Sequence, residues 1–303
     1  MKTNRMRLES LVKLNQQKLF ESLETIFSRD ALSVPGKYLL VPGSAPVLLA
    51  AHLDTVHRSP VRRIEKKQNG TVLSSPEGIG GDDRCGVYAL LSVHDSVPEK
   101  PWLLFTCDEE IGAHGAQRFC ADFAAGKLPD GIERIKFIVE IDRKGRNDAV
   151  YYDCANADFE KHVNSYGFHT EYGSFSDISY LAPELGVAAV NLSSGYYNPH
   201  TLAEYINVTE LNETISKVCR MVTDSTAAEV PRFEYVSFAK WGFWDEEDGY
   251  DYSQYSFSDE RIQEMYEELQ TVFRPGEIDR LIDEYGEIAV EIIYKLEFYP
   301  DSF

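Results

Sequence analysis

The sequence predicts an α/β fold, a three-layer sandwich in which a mostly parallel central sheet lies between helices. Three observations carry this prediction. Short apolar runs of strand length, several of them nearly continuous Val, Ile and Leu, read as strands buried on both faces. Stretches of helical periodicity alternate with these runs. The chain has 303 residues and is 43% hydrophobic, which suffices for a substantial core.

Residues 8–28 set Leu8, Leu11, Val12, Leu14, Leu19, Leu23, Ile26 and Phe27 at mostly helical spacing, and Pro35-Gly36 stops any continuation. Strands are expected at 38–41, 47–51, 102–107, 136–141 and 187–192. Helices are expected near 84–95, 114–125, 156–166 and 208–222. No repeat or flexible tether divides residues 1–230, which read as one domain. Composition changes at Pro231. Residues 231–303 hold 19 acidic and 6 basic side chains, a net of −13, and 17 of the 37 aromatic residues. They read as an appended helical subdomain with helices near 259–273 and 276–296, the first lined by Ile262, Met265, Tyr266, Leu269 and Val272.

The whole chain carries 30 Lys+Arg against 50 Asp+Glu, a net charge of −20. Such a chain repels phosphate backbones and anionic lipid, so nucleic-acid and membrane partners are excluded. No apolar run reaches the roughly 20 residues of a membrane span, and the first residues lack a signal-peptide pattern. Five cysteines, none in a CxxC pair, form neither a disulfide framework nor a zinc ribbon. The expected compartment is the reducing cytoplasm.

In open α/β sheets ligands bind beyond the carboxyl ends of the strands, so the residues leaving each predicted strand are informative. The run VLLAA exits into His52-Leu53-Asp54, WLLFTC into Asp108-Glu109-Glu110, KFIVEI into Asp142, and AAVNLSSGYYNP into His200. The loop Gly78–Asp83 adds Asp82 and Asp83 before a helix. Imidazoles and carboxylates gathered at strand ends are the ligand types of Zn²⁺ or a similar divalent ion, and a carboxylate can bridge two of them. One bridging carboxylate with two private ligands per ion needs five residues. Capping would explain an Asp-Asp before a helix, and solvated surface a Glu-Glu pair, but neither requires histidines at the ends of separate apolar strands. There is no GxSxG elbow, GxxxxGK[ST] loop or HExxH helix. Asp82 and Asp83 would repel a pyrophosphate from Gly78-x-Gly80.

His52-x-Asp54-Thr-Val, Asp82-Asp83-x-x-Gly86, Asp108-Glu109-Glu110-x-Gly112, Asp142 and His200-Thr201, in this order, resemble the co-catalytic dizinc exopeptidases, the group of leucyl and glutamyl aminopeptidases, tripeptidase T and acylamino-acid deacylases. The resemblance covers roughly residues 45–222. It implies that His52, Asp82 and Asp142 hold one metal ion and that Asp82 bridges to a second, completed by Glu110 and His200. It further implies Glu109 as general base, Asp54 as the carboxylate behind His52, and a cis peptide at Asp82–Asp83. The cofactors would be two divalent ions per chain, Zn²⁺ with Co²⁺ or Mn²⁺ as alternatives. Asp177 stands where such enzymes hold the substrate's amino group; its plain reading is a cap for a helix over 178–184.

His52 and Asp82 are 30 residues apart and Asp142 and His200 are 58 apart, intervals too short for the lid domain that relatives insert. A bare catalytic domain over 1–230 is the expectation. The Asp-Asp-Arg-Cys-Gly run is nearer the aminopeptidase branches than the Asp-x-Lys-Gly of the deacylases. The resemblance thus implies an aminopeptidase on short peptides, with hydrolysis of N-acyl amino acids as the enzymatic alternative; a homo-oligomer is a further expectation, and a non-catalytic binding protein that keeps the fold is the competing reading of another class. His94, His162 and His169 are expected in ordinary structural roles; His57 and His114 stand near enough to the motifs to touch substrate, but their expected place is the surface. Cys85 is expected inside, on the helix after Asp82, and Tyr196 and Tyr197 either line a pocket or pack a loop.

Overall fold

The structure is a computed structural model. It describes residues 6–173 and 175–237, together with Ile262, Met265, Tyr266, Leu269, Ile278, Val290, Ile293 and Tyr294. The chain divides into two compact units, 1–243 and 244–303.

The N-terminal helical stretch is broken into α1 (Leu8–Leu11) and α2 (Gln16–Phe27). α1 ends at its cap residue Val12, and Asn15, with an extended backbone, starts α2 by accepting from the Lys18 N–H at 2.9 Å. There follow β1 (Leu32–Val34), β2 (Tyr38–Val41), β3 (Val47–His52), β4 (Glu65–Lys67), β5 (Val72–Ser74), α3 (Gly81–Ser96), β6 (Trp102–Thr106) and α4 (His114–Ala124). The second half holds β7 (Phe137–Arg143), β8 (Asp148–Val150), α5 (Ala157–Asn164), β9 (His169–Glu171), α6 (Ile178–Leu185), β10 (Ala189–Ser193), β11 (Tyr196–Tyr197), β12 (Tyr205–Asn207) and α7 (Val208–Ser225).

Eight strands form the main sheet in the order β1-β2-β6-β3-β7-β10-β8-β9. Its centre, β6-β3-β7-β10, is parallel, and every residue of β3, β6 and β10 is buried, as the continuous apolar runs require. Alternate residues of these strands face opposite layers. Leu49, Ala51, Phe105, Val139 and Val190 pack towards α2, α3 and α7, while Leu48, Ala50, Leu104, Ile138 and Ala189 pack towards α4 and α6. This is the three-layer sandwich, and no inserted lid stands among the described residues. A small antiparallel sheet, β11-β12-β5-β4, sits beside it.

The crossover from β3 to β6 runs through α3 on one face, and that from β6 to β7 through α4 on the other. The carboxyl ends of β3 and β7 therefore flank the point where the winding reverses. All five cysteines are free thiols, with Cys85 buried on α3. No helix among the described residues is long and apolar enough to cross a membrane.

Residues 231–237 are built onto the first unit. Phe233 packs against Phe137, Phe159 and His162, and the Tyr235 hydroxyl donates to Asp153. Structural division thus falls later than the compositional change at Pro231. In the second unit Ile262, Tyr266, Leu269, Ile278 and Val290 are buried together, with Met265 against them. The remainder of the helices expected at 259–273 and 276–296, Val272 included, lies outside the described residues, as does the aromatic and acidic stretch 238–257.

Candidate metal centre

The strand ends deliver their polar side chains to one place. His52, the last residue of β3, is fully buried. Its Nε2 lies 2.9 Å from Asp82 Oδ1 and 3.5 Å from Asp142 Oδ1, and its Nδ1 lies 3.1 Å from Asp54 Oδ1. The other oxygen of Asp82 faces His200, whose Nε2 is 3.2 Å from Asp82 Oδ2 and 3.1 Å from Glu110 Oε2. Two groups able to hold a metal ion result, His52-Asp82-Asp142 and Asp82-Glu110-His200, joined at Asp82.

Local sequence explains how each residue arrives there. Gly80 takes a left-handed backbone (φ 64°) before α3, and the Asp82–Asp83 peptide is cis. Asp83 folds its carboxylate back to accept from the Gly86 N–H at 2.8 Å and the His52 N–H at 3.3 Å. A Cβ on Gly86 would sit 2.3 Å from both that carboxylate and the Ile141 carbonyl, which accounts for the Asp82-Asp83-x-x-Gly86 spacing. On the next strand end, Asp108 adopts φ 62° and exchanges two hydrogen bonds with the Gln16 side chain at the start of α2. The Glu109 and Glu110 N–H groups then donate to the two oxygens of Asp54, at 3.1 and 3.0 Å. Asp54 therefore orients His52 and also fixes the Glu109–Glu110 turn.

Asp142 directly follows the buried part of β7, which ends at Ile141. Its N–H donates to Asn191 Oδ1 at 2.9 Å, and the buried Tyr196 hydroxyl donates to its carbonyl at 2.9 Å. Tyr196 thus supports Asp142, whereas Tyr197 stacks on Tyr205 and donates to Glu210, which is loop packing. Asp177 does not cap α6. It is buried, accepts from the Thr106 hydroxyl, and leaves Oδ1 without a partner.

So many carboxylates in one buried place displace each other's protonation. Burial, with the neighbouring Asp142, Asp177 and Glu110, pushes Glu109 up to about 8. Burial and Asp82 push Asp142 up to about 7. Burial works to raise Asp82 too, but the His200 and His52 contacts outweigh it and hold this carboxyl low. The hydrogen bond to Asp82 raises His200 to about 9 against partial burial. Burial opposes the charged form of His52, yet Asp142, Asp54 and Asp82 prevail and raise it well above its ordinary value.

Three participants escape the sequence reading. Glu204 is fully buried; its Oε2 accepts from the Gly80 N–H at 2.8 Å and lies 2.7 Å from His57 Nε2, while Oε1 accepts from the Asp82 N–H at 3.0 Å. This corrects the surface placement expected for His57, whose side chain is only 9% exposed. Arg84, on the first turn of α3, is also buried. So is Glu140 on β7, which accepts from the Ser176 hydroxyl. An acid four residues after His200 is the one signal that marks Glu204 in the sequence.

No family model matches the chain, and no curated protein matches it. Solved structures do. Over 74% of this chain and 100% of the other, it resembles aminopeptidase PepT from Bacillus cereus, with a TM-score of 0.55 at 14% identity. A tripeptidase from Staphylococcus aureus gives 0.56 at 14% identity over 74% of this chain and 99% of the other. The Pyrococcus horikoshii TET1 peptidase, described as assembling into a tetrahedron or a large octahedral shell, gives 0.53 at 13% identity over 71% and 98%. The chain has the fold of PepT- and TET-type peptidases, the fold that the motif order implies.

Proposed function

We propose that the chain is a metal-dependent exopeptidase that hydrolyses the amide bond of short peptides as an aminopeptidase. The pair of three-residue groups sharing Asp82, beside a Glu109 carboxylate that makes no hydrogen bond among the described residues, carries this reading. The residues fit divalent ions. Their donors are imidazole nitrogens and carboxylate oxygens, no Lys or Arg stands among them, and the buried Glu110 Oε1 has no hydrogen-bond partner. A cation would satisfy that oxygen. In this reading His52, Asp82 and Asp142 hold one ion and Asp82, Glu110 and His200 the other, Zn²⁺ first and Co²⁺ or Mn²⁺ next.

Bound ions would supply Lewis acidity that acidifies water and polarises a carbonyl. The chain's own groups do the remainder. Glu109 takes the proton of the attacking water and passes it to the departing amine, a task that its raised pKa favours. Asp54 keeps the His52 ring and the Glu109 backbone in register. Asp177, with its buried and unpartnered Oδ1, receives the ammonium of the peptide's N-terminus. A free amine suits that oxygen better than a neutral N-acyl group, which favours aminopeptidase over deacylase. Self-association, as described for TET1, is the expected assembly.

Hydrolysis of matched aminoacyl and N-acyl substrates with added Zn²⁺, Co²⁺ or Mn²⁺ tests the proposal. Metal-dependent release from the free-amine substrate, abolished in Glu109→Gln, is expected. Preferred turnover of the N-acyl substrate would establish the deacylase instead, and no turnover with two bound ions would establish a binding protein.

A further inference from the structure

A cavity with a volume of about 450 Å³ lies behind Asp54, between the N-terminal helices and the loop that follows β3. Its charge runs against that of the molecule. Lys13, Lys18, Arg58 and Arg84 line it in a chain of net charge −20, and the one carboxylate on its wall, Asp54, has both oxygens engaged by His52 and by the Glu109 and Glu110 N–H groups. Lys13, Lys18 and Arg58 form no ion pair among the described residues. The positive end of α2, a helix of 12 residues, also opens here, with Asn15 and Gln16 in the wall.

Arg84 makes this more than a basic surface. It forms part of the wall, yet it is 1% exposed. Its Nη1 donates to the Asp54 carbonyl at 2.9 Å and its Nη2 to the Leu14 carbonyl at 3.0 Å, while its Nε has no partner. Both hydrogen bonds therefore go to neutral oxygens, and one buried donor stays open. Arginine's planar fork is suited to carboxylate and phosphate, and a buried donor without an acceptor is costly.

We infer that this cavity is a binding site for a small oxyanion, a phosphate or carboxylate group, held by the Arg84 Nε and the start of α2 and ringed by Lys13, Lys18 and Arg58. Its size matches a metabolite rather than a protein surface. Five basic residues against one acid in 57–67 add a local positive field that draws anions towards the entrance. The site requires neither bound metal nor turnover, so it stands or falls apart from the peptidase reading. Because Arg84 also holds Asp54, an occupant would sit one side chain away from the group that orients His52.

Titration of the full chain with inorganic phosphate by calorimetry tests this, with succinate as the carboxylate probe. Saturable binding is expected, weakened at least about tenfold in the triple variant K13Q/K18Q/R58Q and in Arg84→Lys, which keeps the charge but loses the Nε donor. His200→Ala should bind as the parent does, since phosphate on the metal centre would be lost there. The rim residues are exposed, so the triple variant decides the matter should Arg84→Lys fail to fold. The tighter probe identifies the source of the oxyanion. Full affinity in the triple variant, loss of binding in His200→Ala, or no saturable binding of either probe would overturn the site.

Discussion

Both oxygens of Asp54 receive a backbone N–H, one from Glu109 and one from Glu110, in addition to the His52 contact. An asparagine cannot reproduce this, because its NH₂ must face one of two N–H donors. Asp54→Asn should lose about 1–3 kcal/mol in denaturant unfolding and bind divalent ions more weakly. An unchanged midpoint would show that the clamp contributes nothing. Glu204 makes the same kind of commitment to Gly80 and Asp82. Glu204→Gln should weaken metal affinity by about 10–100-fold, the range for groups that orient ligands, as measured by competition with a chromophoric chelator. The candidate ligands His52, Glu110, Asp142 and His200, with Asp54, are legible in the sequence because they follow apolar runs, and Asp82 because an Asp-Asp pair precedes a helix. Arg84 and His57 are not, because nothing in composition or spacing announces a buried polar group whose partners are distant in the chain, and Glu204 shows itself only as an acid four residues after His200.

At the scale of elements, β2, β3, β6, β7 and β10 are read from the sequence because burial on both faces demands continuous apolar residues. The strands β4 (Glu-Lys-Lys) and β9 (His-Thr-Glu) are missed for the opposite reason: each is three residues long and mostly exposed, and its pairing is set by neighbours rather than by its own pattern. α2 begins later than periodicity suggests because the Asn15 cap overrides it. Asn15→Ala should cost about 1 kcal/mol and loosen Gln16, hence the Asp108 turn, which amide exchange at Asp108 would report. The start of α3 depends on Gly86 in another way. Gly86→Ala would drive a methyl into Asp83 and the Ile141 carbonyl, both 2.3 Å away, and should destabilise by about 1–3 kcal/mol, with unfolding midpoints as the check.

For the whole molecule, the titration of the site decides how stability follows pH. Glu109, Asp142 and Asp177 rise to about 8, 7 and 6 from ordinary values of 4.5, 3.8 and 3.8, chiefly by burial. A group whose pKa is raised by folding contributes stability that is present below its unfolded value and is lost as pH climbs through its folded value. His200, raised to about 9, acts in the same direction, while Asp82, held low, opposes it only in strong acid. The metal-free chain should therefore lose apparent Tm between pH 5 and 9. Divalent ions bind the deprotonated donors and stabilise the folded state by mass action, so the gain on adding metal should grow from pH 6 to pH 8. Thermal melts with chelator and with Co²⁺ or Mn²⁺ across that range provide the measurement. An absent metal-induced shift would mean that no ion binds the folded chain, and a shift that is the same at pH 6 and pH 8 would place the ions somewhere other than on these carboxylates and imidazoles.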